Sequence, residues 1–162
     1  MAVAGVVWAA LALQVPAADS VAIARTRSAL AALRDSLSTV RGASAQYRAD
    51  LPRASAVLVL QRSERMRRQC AGALAAADTL TIVLAGPPPR ASVTAQRDRA
   101  RSALAELRPA LRRCVAQHDT TAGIAAADSL RAWGPYRHRV LLEAVRWYEL
   151  VAVEYWAALP SQ

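Results

Sequence analysis

Four residues of this chain have the types and the spacing to do chemistry together. Cys114 and His118 are four residues apart, and so are Met66 and Cys70, which places each pair on one face of a helix. Thiolates, a thioether and an imidazole are soft ligands that suit Cu(I). The sequence therefore makes Met66, Cys70, Cys114 and His118 candidate metal ligands.

The two cysteines have two other interpretations. They could form a disulfide, which an oxidising compartment favours, or remain unlinked as small buried apolar residues. If the turn between their helices spans Leu84 to Ala91, straight helices separate Cys70 from Cys114 by roughly 13 Å along the hairpin, at about 1.5 Å per residue. A disulfide needs Cα atoms within about 7 Å. A helix break at Pro109 would shorten that gap, so all three interpretations stay open.

Catalytic motifs are absent from the sequence. It contains no nucleophile elbow, phosphate-binding loop, HExxH motif or CxxC motif, and no CxxCH for covalent haem attachment. The few acidic residues are scattered, so no carboxylate pair stands out for acid–base chemistry. We therefore predict binding or structural work rather than catalysis, with no cofactor.

The elements that must position these residues read as helices. Apolar residues recur at alternating intervals of three and four in three long segments, which predicts an apolar seam along each helix. These seams are Ile23, Thr26, Leu30, Leu33, Leu37, Val40, Ser44, Tyr47 and Leu51; Ala56, Val59, Ser63, Met66, Cys70, Ala73, Ala77, Leu80 and Leu84; and Val93, Arg97, Ala100, Leu104, Leu107, Leu111, Cys114 and His118. No strand pattern competes with them.

Glycine and proline residues set the predicted helix ends. The first helix begins at the Asp19-Ser20 cap and ends either at Gly42 or near Leu51, and the second begins near Pro52 and ends before Gly86. The third starts near Ser92 and breaks or kinks at Pro109. The fourth starts near Thr121, is interrupted at Gly134-Pro135 and ends near Leu159. We expect an all-α antiparallel bundle of about four long helices with coiled-coil-like seams.

The N-terminus predicts export. Residues 3–13 are an uninterrupted run of apolar and small residues, and Val15 and Ala17 fit the recognition positions for cleavage after Ala17. The run is too short for a good transmembrane span. We therefore expect residues 1–17 to be a removed signal peptide, residues 18–162 to be a single domain, and the protein to be periplasmic or secreted.

The chain is strongly basic, with 21 arginines against 12 acidic residues and a net charge of +9. The densest runs are Arg62, Arg65, Arg67 and Arg68, and then Arg112 and Arg113. Such runs are usually solvated helix faces, although contact with an anionic membrane surface or an envelope polymer is the functional alternative. Nucleic acid is not expected, because interleaved aromatic residues and known motifs are missing.

The last helix has more apolar residues than one buried face needs. Val140, Leu141, Ala144, Val145, Tyr148, Val151, Ala152, Tyr155 and Leu159 form one face, expected to be buried. Leu142, Leu150, Val153 and Trp156 fall on the opposite, charged side. Either this helix is central, or another segment such as residues 122–133 covers its back, or these residues bind another protein, an envelope component or a second copy of the chain. The sequence thus predicts an exported interaction or structural module, with a small metal- or ligand-binding bundle as the alternative.

Overall fold

Four long helices account for most of the computed structural model, which describes residues 17–160. They are α1 (Ala17–Asp50), α2 (Ala56–Ala85), α3 (Thr94–Gln117) and α4 (Ile124–Ala158), with short 3-10 turns at Leu51–Arg53 and Ala91–Val93. Within those residues there is no strand, which confirms the all-α prediction. No helix in the described range has the length and apolar character to cross a membrane. Nearly all of the predicted signal peptide lies outside the described residues.

Consecutive helices pack antiparallel. In the first two hairpins, contacts join the end of one helix to the start of the next: Arg62 of α2 pairs with Asp50 of α1, and Arg97 of α3 donates to the Leu84 carbonyl of α2. Arg27 near the start of α1 donates to the Leu159 carbonyl at the end of α4, whereas Tyr47 near the end of α1 donates to the Leu130 carbonyl near the start of α4, so these two helices are antiparallel as well. Helix α2 packs against all three other helices. The predicted antiparallel bundle is therefore confirmed.

The predicted seams form the core. Every seam residue of α1 and α3 is buried, as is every seam residue of α2 except the half-buried Ala56. On α4 most of the predicted face is buried; Ala144 and Ala152 are partly buried, and Val140 is 37% exposed. Helix α1 passes Gly42 and continues to Asp50, because Ser44 and Tyr47 beyond it are buried as firmly as Val40 before it. Of the two predicted ends, the later one is correct.

Two predicted interruptions do not occur. Helix α3 continues through Pro109, and α4 continues through Gly134-Pro135. Proline removes one backbone donor, but burial on both sides keeps the helices intact: Leu107 and Leu111 flank Pro109 in the core. In α4, the Tyr47 hydroxyl donates a hydrogen bond of 2.8 Å to the Leu130 carbonyl, which fixes α4 against α1 just before the proline.

The expected separation of the two cysteines is also wrong. Their Cα atoms lie 6.2 Å apart, although neither helix breaks. The reason is the register of the α2–α3 hairpin, in which the first turn of α3 extends beyond the end of α2. The guanidinium of Arg97 therefore donates to the Leu84 and Gly86 carbonyls at that end. This offset brings Cys114 level with Cys70.

Gly134 permits the close packing of α1 on α4, which predicts a measurable effect of one methyl group. A Cβ at this position would lie 2.6 Å from Cε1 and 2.9 Å from the hydroxyl of the buried Tyr47. We expect Gly134→Ala to lower the free energy of unfolding by about 1–3 kcal/mol, because the Tyr47 ring has to move.

Gly42→Ala is the matched control for this substitution. Gly42 also lies within a helix, but a Cβ there meets nothing within 4 Å. It should raise stability by about 0.5–1 kcal/mol, because alanine loses less backbone entropy than glycine on folding. Urea denaturation measures both variants. Equal effects of the two substitutions would show that the Gly134–Tyr47 contact does not limit the packing.

Candidate functional site: a buried histidine cluster beside the disulfide

The cysteines form a disulfide between α2 and α3. The two Sγ atoms lie 2.09 Å apart, and the described chain has no free cysteine. The disulfide interpretation is therefore confirmed over the one with unlinked thiols. The bonded sulfurs are not thiolate ligands, and residues 17–160 contain no group of three or more His, Cys, Asp or Glu side chains placed to hold a metal. Met66, the fourth predicted ligand, is fully buried in the main apolar core.

A polar cluster lies at the end of the bundle where α1 and α3 terminate. It consists of Ser44 and Tyr47 from α1, His118 at the carboxyl end of α3, and His138 from α4, and we call it the histidine cluster. Each of these side chains is at most 1% exposed. Polar groups this deeply buried have to find their hydrogen-bonding partners within the protein.

Hydrogen bonds connect three of these side chains in a row. Ser44 Oγ lies 2.9 Å from His138 Nδ1, and His138 Nε2 lies 2.9 Å from His118 Nε2. The Tyr47 ring packs against both imidazoles, with ring centroids 5.3 Å from His118 and 4.6 Å from His138. The two imidazoles are therefore held in fixed positions against each other.

Both imidazoles are neutral at physiological pH. Burial, with smaller contributions from the nearby His138 and Arg137, lowers the pKa of His118 to about 3. Burial and the nearby Arg48 together lower the pKa of His138 to about 4, although a hydrogen bond with Ser44 acts in the opposite direction. Charging either ring would place a cation in a low-dielectric site that contains no carboxylate partner.

The hydrogen bond between the two neutral imidazoles leaves Nδ1 of His118 without a partner. One Nε2 must donate and the other accept, so each arrangement fixes the tautomer of His118. If His138 donates, the single proton of His118 sits on Nδ1; if His118 donates, its Nδ1 is a bare acceptor. In the structure this Nδ1 is buried and makes no hydrogen bond within the protein. A buried donor or acceptor without a hydrogen bond lowers the free energy of unfolding by about 1–3 kcal/mol, whichever tautomer is present.

A cavity of about 190 Å³ adjoins this pair. Its wall comes from the end of α3 and the first half of α4, and both histidines belong to it. Arg113 and Arg137 also line the cavity, and no Asp or Glu does. Its apolar wall consists of Ala110, Cys114, Val140 and Leu141. The arrangement can accept a small molecule that pairs with guanidinium groups and with an imidazole nitrogen.

The predicted partner-binding residues lie mainly on the outside of α4. Leu150 is 56% exposed and Val153 is 69% exposed, whereas Leu142 is half-buried. Trp156 is partly covered by the Arg27 guanidinium, which lies 5.2 Å from its ring centroid. Trp147, which is not among the predicted partner-binding residues, is half exposed beside them. We call Trp147, Leu150 and Val153 the α4 surface.

Every arginine of the denser run on α2 has a partner within the chain. Arg62 pairs with Asp50, and Arg65 donates to the Gln46 side chain. Arg67 and Arg68 both pair with Glu64. These contacts favour the interpretation of that run as a stabilised, solvated helix face.

Searches of family models, curated proteins and solved structures find no match to this chain. Among the residues of the histidine cluster, the sequence predicted a functional role only for His118, as a candidate metal ligand. Two signals could have indicated the others: Ser44 interrupts an apolar seam, and His138 is spaced at three and seven residues from Leu141 and Val145 on the buried face.

Proposed function

We propose that the protein is an exported, disulfide-linked helical bundle that acts as an interaction module, and that its α4 surface binds a second copy of the chain. The observation that carries the proposal is the α4 surface itself. Trp147, Leu150 and Val153 are 50–69% exposed on a helix whose opposite face packs in the main core. Adjacent exposed apolar side chains of this size are typical of interaction sites.

Export is supported by two independent features. The N-terminal apolar run has the length and the small residues of a cleavable signal. The Cys70–Cys114 pair is a disulfide, and disulfides persist in oxidising compartments outside the cytosol. We expect mature protein to begin at Ala18, as measured by mass spectrometry of its N-terminal peptide. Mature material that retains Met1 would contradict export.

The symmetry of the α4 sequence favours a second copy as the partner. Trp147 and Val153 lie three residues to either side of Leu150, and Arg146 and Glu154 lie four residues to either side. In a two-fold dimer with antiparallel α4 helices centred on Leu150, Trp147 would meet the Val153 position of the other copy. Arg146 would meet the Glu154 position, and the same pair would recur on the other side.

The charge distribution supports the same partner. Residues 119–162 have four arginines and five acidic residues, whereas the rest of the chain carries a large positive charge. Contact through α4 therefore brings two nearly neutral faces together and leaves the basic faces apart. The groove of about 570 Å³ between α3 and α4, lined by Arg99, Trp147, Leu150 and Glu154 among others, is wide enough to receive side chains from the second copy.

A change at the centre of the proposed dimer should have the largest effect on association. Leu150→Glu places two carboxylates against each other across the two-fold axis, so we expect the dimer dissociation constant to rise at least about tenfold. Analytical ultracentrifugation over a concentration series measures it. Ile82→Glu is the matched control, because Ile82 is an exposed apolar residue of α2, outside the α4 surface.

Charge exchange tests the pairing itself. Arg146→Glu alone and Glu154→Arg alone each create like-charge contacts and should weaken the dimer, whereas the double variant should restore part of the association. Restoration stays partial because Glu154 also pairs with Arg99 at 3.2 Å. Wild-type protein that stays monomeric at millimolar concentration would refute the proposal, and a dimer that Leu150→Glu leaves intact would place the interface elsewhere.

A further inference from the structure

The cavity beside the histidine cluster has a wall chemistry that selects among ligands. It lies against the first half of α4, apart from the α4 surface, so it is a separate site. Its wall includes His118, which is 1% exposed and has an Nδ1 without a partner. Because His118 Nε2 is bound to His138, Nδ1 is the one ring nitrogen that a ligand could satisfy.

Two guanidinium groups give the cavity a positive wall. Arg113 is exposed and has no hydrogen bond or ion pair described, and Arg137 donates to the Gln117 carbonyl at 3.3 Å. Since no carboxylate lines the cavity, an anion that entered would meet only attractive formal charges. Arginine binds carboxylates through two parallel hydrogen bonds, which fixes the orientation of the bound group.

The remaining wall combines four apolar residues with the side chains of Gln117 and Tyr136. Ala110, Cys114, Val140 and Leu141 offer no strong hydrogen-bonding side chain. The cavity has a volume of about 190 Å³. That space suits a molecule with one small ring or a short chain.

From these features we infer that the cavity binds a small organic monocarboxylate that also bears a hydroxyl group. The carboxylate pairs with Arg113 and Arg137, the apolar body lies against Val140 and Leu141, and the hydroxyl meets His118 Nδ1. A hydroxyl can donate or accept, so it satisfies this nitrogen in either tautomer. The neutral state of His118 leaves the nitrogen free of positive charge and suited to a neutral partner.

The test uses 4-hydroxybenzoate as the probe and full-length folded protein. Benzoate lacks the hydroxyl and 4-hydroxybenzyl alcohol lacks the charge, so both should bind more weakly than the probe. Long-range ¹H–¹⁵N spectra of the imidazoles give a direct readout, because the chain has two histidines and His118→Gln assigns them. We expect the His118 Nδ1 resonance to shift on titration.

Arginine variants separate specific binding from general attraction to a basic protein. Arg113→Gln should raise the dissociation constant of 4-hydroxybenzoate about tenfold or more, because a charge-assisted pair is lost. Arg112→Gln is the matched control: Arg112 is also exposed on the same helix but does not line the cavity. Equal effects of both variants, or an unchanged His118 resonance at millimolar probe, would mean that the cavity holds only water and would overturn the inference.

Discussion

Reduction of the Cys70–Cys114 disulfide should cost about 4 kcal/mol of folding free energy. The bridge joins residues 44 positions apart, and closing a loop of that length in the unfolded chain removes conformational entropy worth about that amount. For a domain of this size, the loss corresponds to a decrease in Tm of roughly 10–15 °C. Guanidinium denaturation with and without a reducing agent measures the difference.

The control is a Cys70→Ala/Cys114→Ala variant. Both cysteines are buried in the main core, so alanine keeps most of the packing while it removes the cross-link. This variant should be about as stable as the reduced protein, and the reducing agent should not change it. If reduction leaves the denaturation midpoint of the wild-type protein unchanged, the unfolded chain gains no freedom from cleavage and the entropic account of the bridge is wrong.

Acid should destabilise the protein well above the pH at which carboxylates titrate. In the folded state, burial lowers the pKa values of His118 and His138 to about 3 and about 4, whereas unfolded histidine has a pKa near 6.5. Between those limits the unfolded chain binds more protons than the folded chain, so stability increases with pH. The stability that the two neutral imidazoles contribute is complete above about pH 6.5 and is lost as the pH falls toward 4.

The expected loss is large because two groups act together. Between pH 7 and pH 5, the pair should lower the free energy of unfolding by about 3–4 kcal/mol, at up to about 1.4 kcal/mol per pH unit for each proton. Urea denaturation at closely spaced pH values measures this slope. The chain has two histidines, so no other imidazole contributes.

A His118→Gln/His138→Gln variant isolates the histidines. Its stability at pH 7 can be lower, but the slope between pH 6.5 and pH 5 should be nearly flat, because glutamine does not titrate. The slope rather than the absolute stability is therefore the readout. A wild-type protein equally stable at pH 7 and pH 5 would show that the two imidazoles are hydrated or charged in the folded state, contrary to their burial.

The sequence was sufficient to predict the helices and their buried faces. The alternation of three and four residues follows from 3.6 residues per helical turn, so positions such as Leu33, Leu104 and Tyr148 could be assigned to the core without knowledge of their neighbours. The missing catalytic motifs led to the prediction of a binding or structural role, which stays a prediction. A local pattern repeated along many residues is a strong signal.

Only the tertiary structure decided which side chains meet. Local rules predicted a break at Gly134-Pro135, but the packing of Tyr47 on Gly134 keeps α4 continuous. The offset of α3 beyond the end of α2 brings Cys114 level with Cys70, although helix lengths alone predict that the two cysteines are too far apart to bond. The histidine cluster joins Ser44 to His138 across 94 positions. Such contacts depend on register between helices, and register is set by the packing of whole faces rather than by any short segment.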